Sequence, residues 1–142
     1  AGSANIFIVE NTEEFKFLAK KYDDLIFQEL LDGEAGEFTC CIYGTKNGAY
    51  RNIIFKRELT SGGYSGYGEL VEDKKISKLL IEMAGLLQLR GSINVQLRIH
   101  NGLPIVFEIN PRVSSTILFR HLLGFNDLKW SIEELLGMRF LV

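Results

Sequence analysis

The segment SINVQLRIHNGLPIVFEINPR (residues 92–112) alternates apolar and polar side chains in two runs. Alternation of this kind predicts two half-buried β-strands, at residues 92–100 and 104–110. In the first run the apolar positions are Ile93, Val95, Leu97 and Ile99, and the polar positions are Asn94, Gln96, Arg98 and His100. In the second run Ile105, Phe107 and Ile109 alternate with Val106, Glu108 and Asn110.

The register of this hairpin decides whether the two polar rows share one face of the sheet. A two-residue turn at Asn101-Gly102 would place Gln96 opposite Phe107 and would mix polar and apolar side chains on each face. A three-residue loop would instead gather Gln96, Glu108 and Asn110 on one face. The opposite face would then collect Ile93, Val95, Leu97, Ile105, Phe107 and Ile109. Because a one-residue slip turns every side chain over, burial of one face predicts a loop with an odd number of residues.

The shared polar row would consist of one carboxylate, Glu108, and two amides, Gln96 and Asn110. Oxygen ligands of this kind suit Mg²⁺ or Mn²⁺ that bridges phosphates, rather than zinc. A solvated strand face that carries a single acid explains the same residues. Pro111-Arg112 adds a fixed bend and a guanidinium group, which matches phosphate or carboxylate oxygens.

The rest of the chain reads as further strands and helices. Helices are predicted at residues 12–21, 74–89, 115–124 and 127–137, with a capping box at 11–14 and Asp73 as an N-cap. Strands are predicted at 6–9, 25–30, 37–43 and 49–59, with a tight turn at Asn47-Gly48. Residues 61–68 carry four glycines and are predicted to be a mobile loop. This order favours an α+β fold, an antiparallel sheet with helices packed on one face.

The amino-acid composition argues against several classes of function. The 142 residues include 16 Lys plus Arg and 18 Asp plus Glu, a net charge of −2, which gives no general attraction to nucleic acid. No apolar run reaches the ~20 residues of a membrane-spanning helix, and no signal peptide is evident. The two cysteines, Cys40 and Cys41, are adjacent, cannot form a disulfide framework, and are predicted to pack in the core. We therefore expect a cytoplasmic domain that binds neither nucleic acid nor membrane.

Three motifs resemble the ATP-grasp superfamily. Residues 93–96 and 107–112, with the pattern Asn-x-Gln followed by Glu-x-Asn-Pro-Arg, are similar to its metal-binding hairpin, in particular that of the carbamoyl-phosphate synthase large-subunit branch. Residues 27–33 (FQELLDG) resemble the hinge strand whose backbone faces adenine. Residues 2–14 resemble the end of the glycine-rich phosphate loop and the element after it.

The resemblance implies roles for individual residues. Gln96 and Glu108 would hold one Mg²⁺ or Mn²⁺, and Glu108 with Asn110 a second. Arg112 would stabilise the transferred phosphoryl group. Apart from the resemblance, Arg57 lies on the strand before the glycine-rich loop at residues 61–68, where it could reach phosphates or a substrate carboxylate; a solvated strand arginine explains the same position. The residues implied in ATP binding are Gln28, Glu29, Leu30, Leu31 and Glu37, the last as a ribose ligand. Two departures stand out: Gln96 replaces the Asp of many members, and the lysines of the first lobe are expected before residue 1.

The function implied is an ATP-dependent ligase that activates a carboxylate as an acyl-phosphate, which an amine or another nucleophile then attacks. Its partners would be small-molecule substrates, with a homo-oligomer or a partner subunit also possible in this reading. The chain would be a truncated ATP-grasp domain over residues 1–142, with the glycine-rich loop end at 1–11 and the hinge and C-terminal lobe at 25–142. Two alternatives are a nucleotide-binding module without catalysis and a structural domain that reuses the fold.

Overall fold

The computed structural model describes residues 6–31, 36–61, 63 and 65–138. The helices are α1 (Thr12–Lys21), α2 (Lys74–Leu86), α3 (Ile117–Leu122) and α4 (Asp127–Leu135). The strands are β1 (Glu37–Gly44), β2 (Tyr50–Leu59), β3 (Ser65–Leu70), β4 (Gly91–His100) and β5 (Leu103–Asn110). Every helix in these ranges is too short or too polar to cross a membrane.

The five strands form one antiparallel sheet in the order β3-β2-β1-β4-β5. The predicted α+β class with an antiparallel sheet is therefore confirmed. β1 is the central strand and is almost completely buried, which accounts for its apolar sequence, EFTCCIYG. Its register aligns Glu37 with Arg57 of β2 and with Arg98 of β4, so these three side chains lie in one row on one face.

Helix α2 covers one face of the sheet and forms the main core. Its apolar stripe, Ile76, Leu80 and Ala84, is fully buried against residues of β1, β2 and β4. The sheet residues in this core are Phe38, Cys40, Ile42, Ile54, Ile93, Val95 and Leu97. Asp73 caps the helix by accepting hydrogen bonds from the amides of Lys75 and Ile76, as the sequence predicts.

A second, smaller core lies on the opposite face, at one end of the sheet. Phe125 and Trp130 of the α4 region pack there on Cys41, Tyr43, Ile53 and Phe55. Both cysteines are buried, which confirms their predicted packing role, and Trp130 is buried as predicted. Since α4 covers only this end, the remainder of the face is left open.

The β4–β5 hairpin corrects the predicted loop. His100 pairs directly with Leu103, so the turn is the two-residue Asn101-Gly102 and the odd-numbered loop is wrong. Both turn residues have positive φ, 50° and 74°, which matches the right-handed twist of the strands. An irregularity after Gln96 leaves Phe107 as an extra residue, and Gln96 then pairs with Glu108.

The bulge, and not the length of the loop, brings the polar side chains of β4 and β5 onto one face of the sheet. Gln96 pairs with Glu108 and Asn94 with Asn110, so these side chains share one face as predicted. The apolar face differs from the prediction: Val106 packs against the core opposite Leu97, whereas Ile105 pairs with Arg98 and turns away. A single extra residue thus reverses the facing of residues 105 and 106.

Three other predicted elements differ from the structure. Residues 6–9 and 25–30 are not strands, because neither pairs with the sheet. Their aromatic residues instead contact the α1 region, Phe7 with Tyr22 and Phe27 with Phe15. Part of the predicted loop at 61–68 is strand β3, which pairs with β2.

The remaining predictions concern the helix caps, one turn, the helix ends and a few residues that the structure does not describe. Asn11 caps α1 by accepting from the amides of Glu13 and Glu14, and the Glu14 carboxylate accepts from the Asn11 side-chain amide and from the Glu10 backbone amide, a variant of the predicted capping box. The Asn47-Gly48 turn also forms, with Gly48 at φ 80° donating its amide to Thr45. Helices α2, α3 and α4 end earlier than predicted. The predictions at residues 2–3, 32–35, 62 and 64 lie outside the described residues.

Candidate functional site

A cleft of about 600 Å³ opens on the sheet face opposite α2. It is lined by residues of all five strands, of the segment after β5, and of the connecting segments before β1 and β3. Its lining residues are Ile6, Gln28, Glu37, Thr39, Arg57, Leu59, Gly63, Ser65, Asn94, Gln96, Arg98, Phe107, Glu108, Asn110, Arg112, Ser114 and Ser115. The cleft therefore brings together seven of the ten predicted site residues: Gln28, Glu37, Arg57, Gln96, Glu108, Asn110 and Arg112.

Glu37 lies between two arginines at the centre of the cleft. Its Oε1 accepts from Arg57 Nε at 3.0 Å, and its Oε2 accepts from Arg98 Nη2 at 2.9 Å. The Glu37 side chain is only 13% exposed, so these ion pairs are less screened than surface pairs. Both carboxylate oxygens have partners, and a ribose hydroxyl would therefore share Glu37 with a guanidinium.

Arg57 also connects this ion pair to the polar row of the hairpin. Its Nη2 donates to Gln96 Oε1 at 2.7 Å, and its Nη1 approaches Ser65 Oγ of β3 at 3.4 Å. The Arg57 side chain is 10% exposed. The guanidinium thus spans β1, β2, β3 and β4, and it holds the oxygen of Gln96 that was predicted to bind a metal.

Glu108 and Asn110 extend the row towards the open end of the cleft. Glu108 is exposed, and its Oε1 accepts from Asn110 Nδ2 at 2.6 Å, which leaves Asn110 Oδ1 facing away from this bond. Arg112 follows two residues later, is exposed, and its Nη1 donates to the carbonyl oxygen of its neighbour Val113 at 3.4 Å. Glu108, Asn110 and Arg112 are thus accessible to a ligand.

The donor set fits a hard divalent cation that is also held by phosphate oxygens. Mg²⁺ in such sites takes one or two carboxylates and completes its shell with water and substrate phosphates. Glu108 supplies the carboxylate, and Asn110 can supply an amide oxygen. The described residues contain no group of three or more His, Cys, Asp or Glu that could hold a metal alone. Binding would therefore depend on the phosphates.

The residues predicted to form the adenine-facing hinge are divided in their placement. Gln28 lines the cleft, whereas the side chains of Glu29, Leu30 and Leu31 are not part of its lining. Leu31 is buried, and its carbonyl oxygen accepts from Arg98 Nη1 at 2.8 Å. The backbone of the hinge is thereby attached to β4 beside Glu37.

Ten cleft-lining residues were absent from the predicted site, and Arg98, Asn94 and Thr39 are the polar ones that lie beside Glu37 and Gln96 on the sheet. Thr39 and Asn94 are buried and share a hydrogen bond of 3.0 Å beneath the cleft. The sequence did contain a signal for Arg98 and Asn94, because both belong to the polar row of the first hairpin strand. Their position two residues from Gln96 places them on its face.

The shifted pKa values belong to three buried residues of the central strand β1, outside the cleft lining. Burial raises the pKa of the Cys41 thiol to about 12, and the Asp127 carboxylate nearby adds to the shift. Burial, with the carboxylate of Glu134, also raises the pKa of Tyr43 to about 12. Cys40 is shifted upward too, chiefly by burial. These groups stay protonated and neutral at physiological pH, which is expected of packing residues and not of nucleophiles.

A family model described as "ATP-grasp in the biosynthetic pathway with Ter operon" matches residues 21–141. The chain belongs to the ATP-grasp family. Among solved structures, the ATPase subunit of phosphoribosylaminoimidazole carboxylase from Aquifex aeolicus is similar, at 18% sequence identity and a TM-score of 0.51. The likeness covers 63% of this chain and 28% of that subunit, so this ATP-grasp chain spans less than a third of it. No curated protein matches the sequence.

Proposed function

We propose that this chain forms the nucleotide- and metal-binding face of an ATP-dependent ligase that activates a carboxylate as an acyl-phosphate. The observation that carries the proposal is the convergence of Glu108, Asn110 and Arg112 with the Arg57–Glu37–Arg98 group in one cleft. Membership of the ATP-grasp family supports the use of ATP, and the structural neighbour is itself described as an ATPase subunit. The carbamoyl-phosphate synthase branch, with the same Glu-x-Asn-Pro-Arg pattern, is our proposed subgroup.

The charges of the cleft suit a metal–nucleotide complex. Among its described lining residues are three arginines and two glutamates, a net charge of about +1. Two of the arginines are paired with Glu37, so Arg112 is the accessible cation closest in sequence to the metal-binding pair Glu108 and Asn110. Arg112 is therefore available to phosphate oxygens at one end of the cleft. The ion pairs of Glu37 with Arg57 and Arg98 occupy the other end.

In the proposed reaction, the cleft residues act by positioning the substrates and by stabilising charge. A substrate carboxylate oxygen forms a bond to the γ-phosphorus of ATP, the bond from that phosphorus to the β–γ bridging oxygen breaks, and ADP leaves. A nucleophile such as an amine then attacks the acyl carbon and displaces inorganic phosphate. When bound, the divalent cation would neutralise phosphate charge. Arg112 would donate hydrogen bonds to the oxygens of the transferred group, and Glu108 and Asn110 would hold the cation.

The test uses the intact protein with MgATP, a panel of small carboxylates and hydroxylamine as the trapping nucleophile. An acyl-phosphate intermediate predicts hydroxamate and inorganic phosphate in equal amounts, dependent on one carboxylate of the panel. Glu108→Gln serves as the matched control, since it keeps the shape and removes the charge, and it should abolish both products. Nucleotide binding without phosphate release would favour the module without catalysis, and absence of nucleotide binding would contradict both readings.

A further inference from the structure

A buried ion pair lies outside the cleft and is not used by the proposed chemistry. Arg120 of α3 and Asp127 at the start of α4 are each 1% exposed. Arg120 Nε and Nη2 donate in parallel to Asp127 Oδ1 and Oδ2, at 3.2 and 2.9 Å. This is the bidentate geometry that gives the strongest arginine–carboxylate pairs.

The Arg120 side chain extends from this pair to the segment that follows the metal-binding hairpin. Its Nη1 donates to Ser114 Oγ at 2.7 Å and to Thr116 Oγ1 at 2.8 Å. Ser114 lines the cleft, two residues after Arg112. The guanidinium therefore links the interior of the molecule to the wall of the candidate site.

Asp127 attaches the same pair to the sheet. Its Oδ2 also accepts from Ser92 Oγ of β4 at 2.7 Å, and the thiol of Cys41 in β1 lies 3.5 Å away. A continuous chain of polar contacts thus runs from the sheet through Asp127 and Arg120 to Ser114. We call Ser92, Asp127, Arg120, Thr116 and Ser114 the Arg120 network.

Stability alone is a weak reason for such a network. Removing two charges from water costs several kcal/mol, and apolar residues of the same volume often serve the folded state equally well. A guanidinium with directional N–H groups can, however, fix the position of a loop that has few apolar contacts. The segment at residues 112–115 is such a loop, since Arg112, Val113 and Ser115 are exposed.

We propose that the Arg120 network holds the loop at residues 112–115 against the sheet, so that Arg112 faces the phosphate end of the cleft. Arg120 and Ser114 are then positioning residues, because they act through Arg112. The catalytic part of this inference rests on the proposed function, whereas the structural part does not.

The decisive variant is Ser114→Ala in the intact protein, because it removes the tie to the loop and leaves the buried ion pair in place. Amide hydrogen exchange of residues 112–117, measured by mass spectrometry, should become about tenfold faster, as expected for losing a hydrogen bond to a charged group. The melting temperature should stay near that of the wild type. The kcat for phosphate release should fall about tenfold, with the KM for ATP within about twofold.

Three comparisons separate positioning from general packing. Ser131→Ala removes a hydroxyl that donates to Asp127 O at 2.9 Å, on the side of the ion pair away from the loop, and should leave loop exchange unchanged. Ser114→Thr keeps the hydroxyl and should restore slow exchange and kcat. Arg120→Lys keeps the charge but loses the forked geometry, so it should speed loop exchange as Ser114→Ala does and, unlike Ser114→Ala, should lower the melting temperature.

The outcomes are distinct. Exchange of residues 112–117 that equals the wild type in Ser114→Ala, or that rises equally in Ser131→Ala, would overturn the proposal. Faster exchange with unchanged kcat would overturn the link to Arg112. A wild-type protein that releases no phosphate would count against the proposed function, while the exchange data would still decide whether the network holds the loop.

Discussion

Glu108 supplies the only carboxylate of the hairpin row, and Asn110 beside it contributes a neutral dipole. In the intact protein, Glu108→Ala should lower ATP turnover by about 10³-fold or more, because the charge that neutralises the cation is lost. Asn110→Ala should cost about tenfold, the scale of one hydrogen-bonding dipole. Steady-state phosphate release measures both. Equal losses in the two variants, or an active Glu108→Ala, would show that the row does not hold the metal.

Arg98 joins the hinge to the cleft through Leu31 O and Glu37 Oε2. Arg98→Ala should raise the KM for ATP about tenfold with kcat nearly unchanged, because it loosens Leu31 and Glu37, which we propose contact the nucleoside and not the transferred phosphoryl group. Arg51→Ala is the control: Arg51 lies on the same sheet face, over Trp130, and outside the cleft. A kcat defect with an unchanged KM would place Arg98 in the chemical step instead.

At the scale of elements, the β4–β5 turn depends on its backbone conformation and not on space. An added Cβ at Gly102 would meet no atom within 4 Å, yet its φ of 74° is unfavourable for other residues. Gly102→Ala should therefore lower the free energy of unfolding by about 1 kcal/mol.

Gly85 of α2 is the matched control, because it is equally uncrowded and lies in a regular helix. Gly85→Ala should raise the free energy of unfolding by roughly 0.5–1 kcal/mol. Urea titrations of the two variants give these values. The conformational account of the turn is wrong if the two substitutions change stability in the same direction.

The β4–β5 hairpin also shows how much of its structure the sequence pattern predicts. The alternation in residues 92–110 predicted both strands and the common face of Gln96, Glu108 and Asn110, and the structure confirms these. The loop length was wrong because two local rules competed. The Asn-Gly turn preference won, and the bulge at Phe107 restored the common face. A bulge has no distinct signal in a single sequence.

Other features could not be predicted because they depend on contacts between residues that are far apart in the sequence. Glu37 is 20 residues from Arg57 and 61 from Arg98, and only the register of β1 with its two neighbours brings them together. Likewise, Arg120 and Asp127 are separated by the α3–α4 connection, so helical periodicity does not pair them. The predicted strands at 6–9 and 25–30 were apolar enough to pair, but neither joins the sheet, and their aromatic residues contact the α1 region instead.

At the scale of the whole molecule, the buried thiols and phenol make stability fall with rising pH in the alkaline range. The unfolded chain loses the Cys41 proton near its ordinary pKa of 9.0, whereas the folded chain keeps it until about pH 12. Between these values the unfolded state binds fewer protons, so the free energy of unfolding falls as pH rises. Cys40 and Tyr43 act in the same direction.

Melting temperatures between pH 8 and pH 11 should therefore decline steadily above pH 9. Cys41→Ala should show a shallower decline over the same range, because one of the titrating groups is removed. Below pH 8 the melting temperatures of the two proteins should run parallel. Identical slopes above pH 9 would show that the Cys41 thiol does not remain protonated in the folded state.

The two faces of the sheet have different roles. The α2 face forms the core, and the other face is covered by α4 at one end and open as the cleft at the other. The central claim is that this open face binds a metal–nucleotide complex through Glu108 and its neighbours.

Calorimetry of the non-hydrolysable analogue AMPPNP with the intact protein, with and without Mg²⁺, tests that claim most directly. We predict that Mg²⁺ tightens AMPPNP binding at least about tenfold in the wild type and has no effect in Glu108→Gln. Equal Mg²⁺ dependence in the two proteins, or no binding by the wild type, would contradict it.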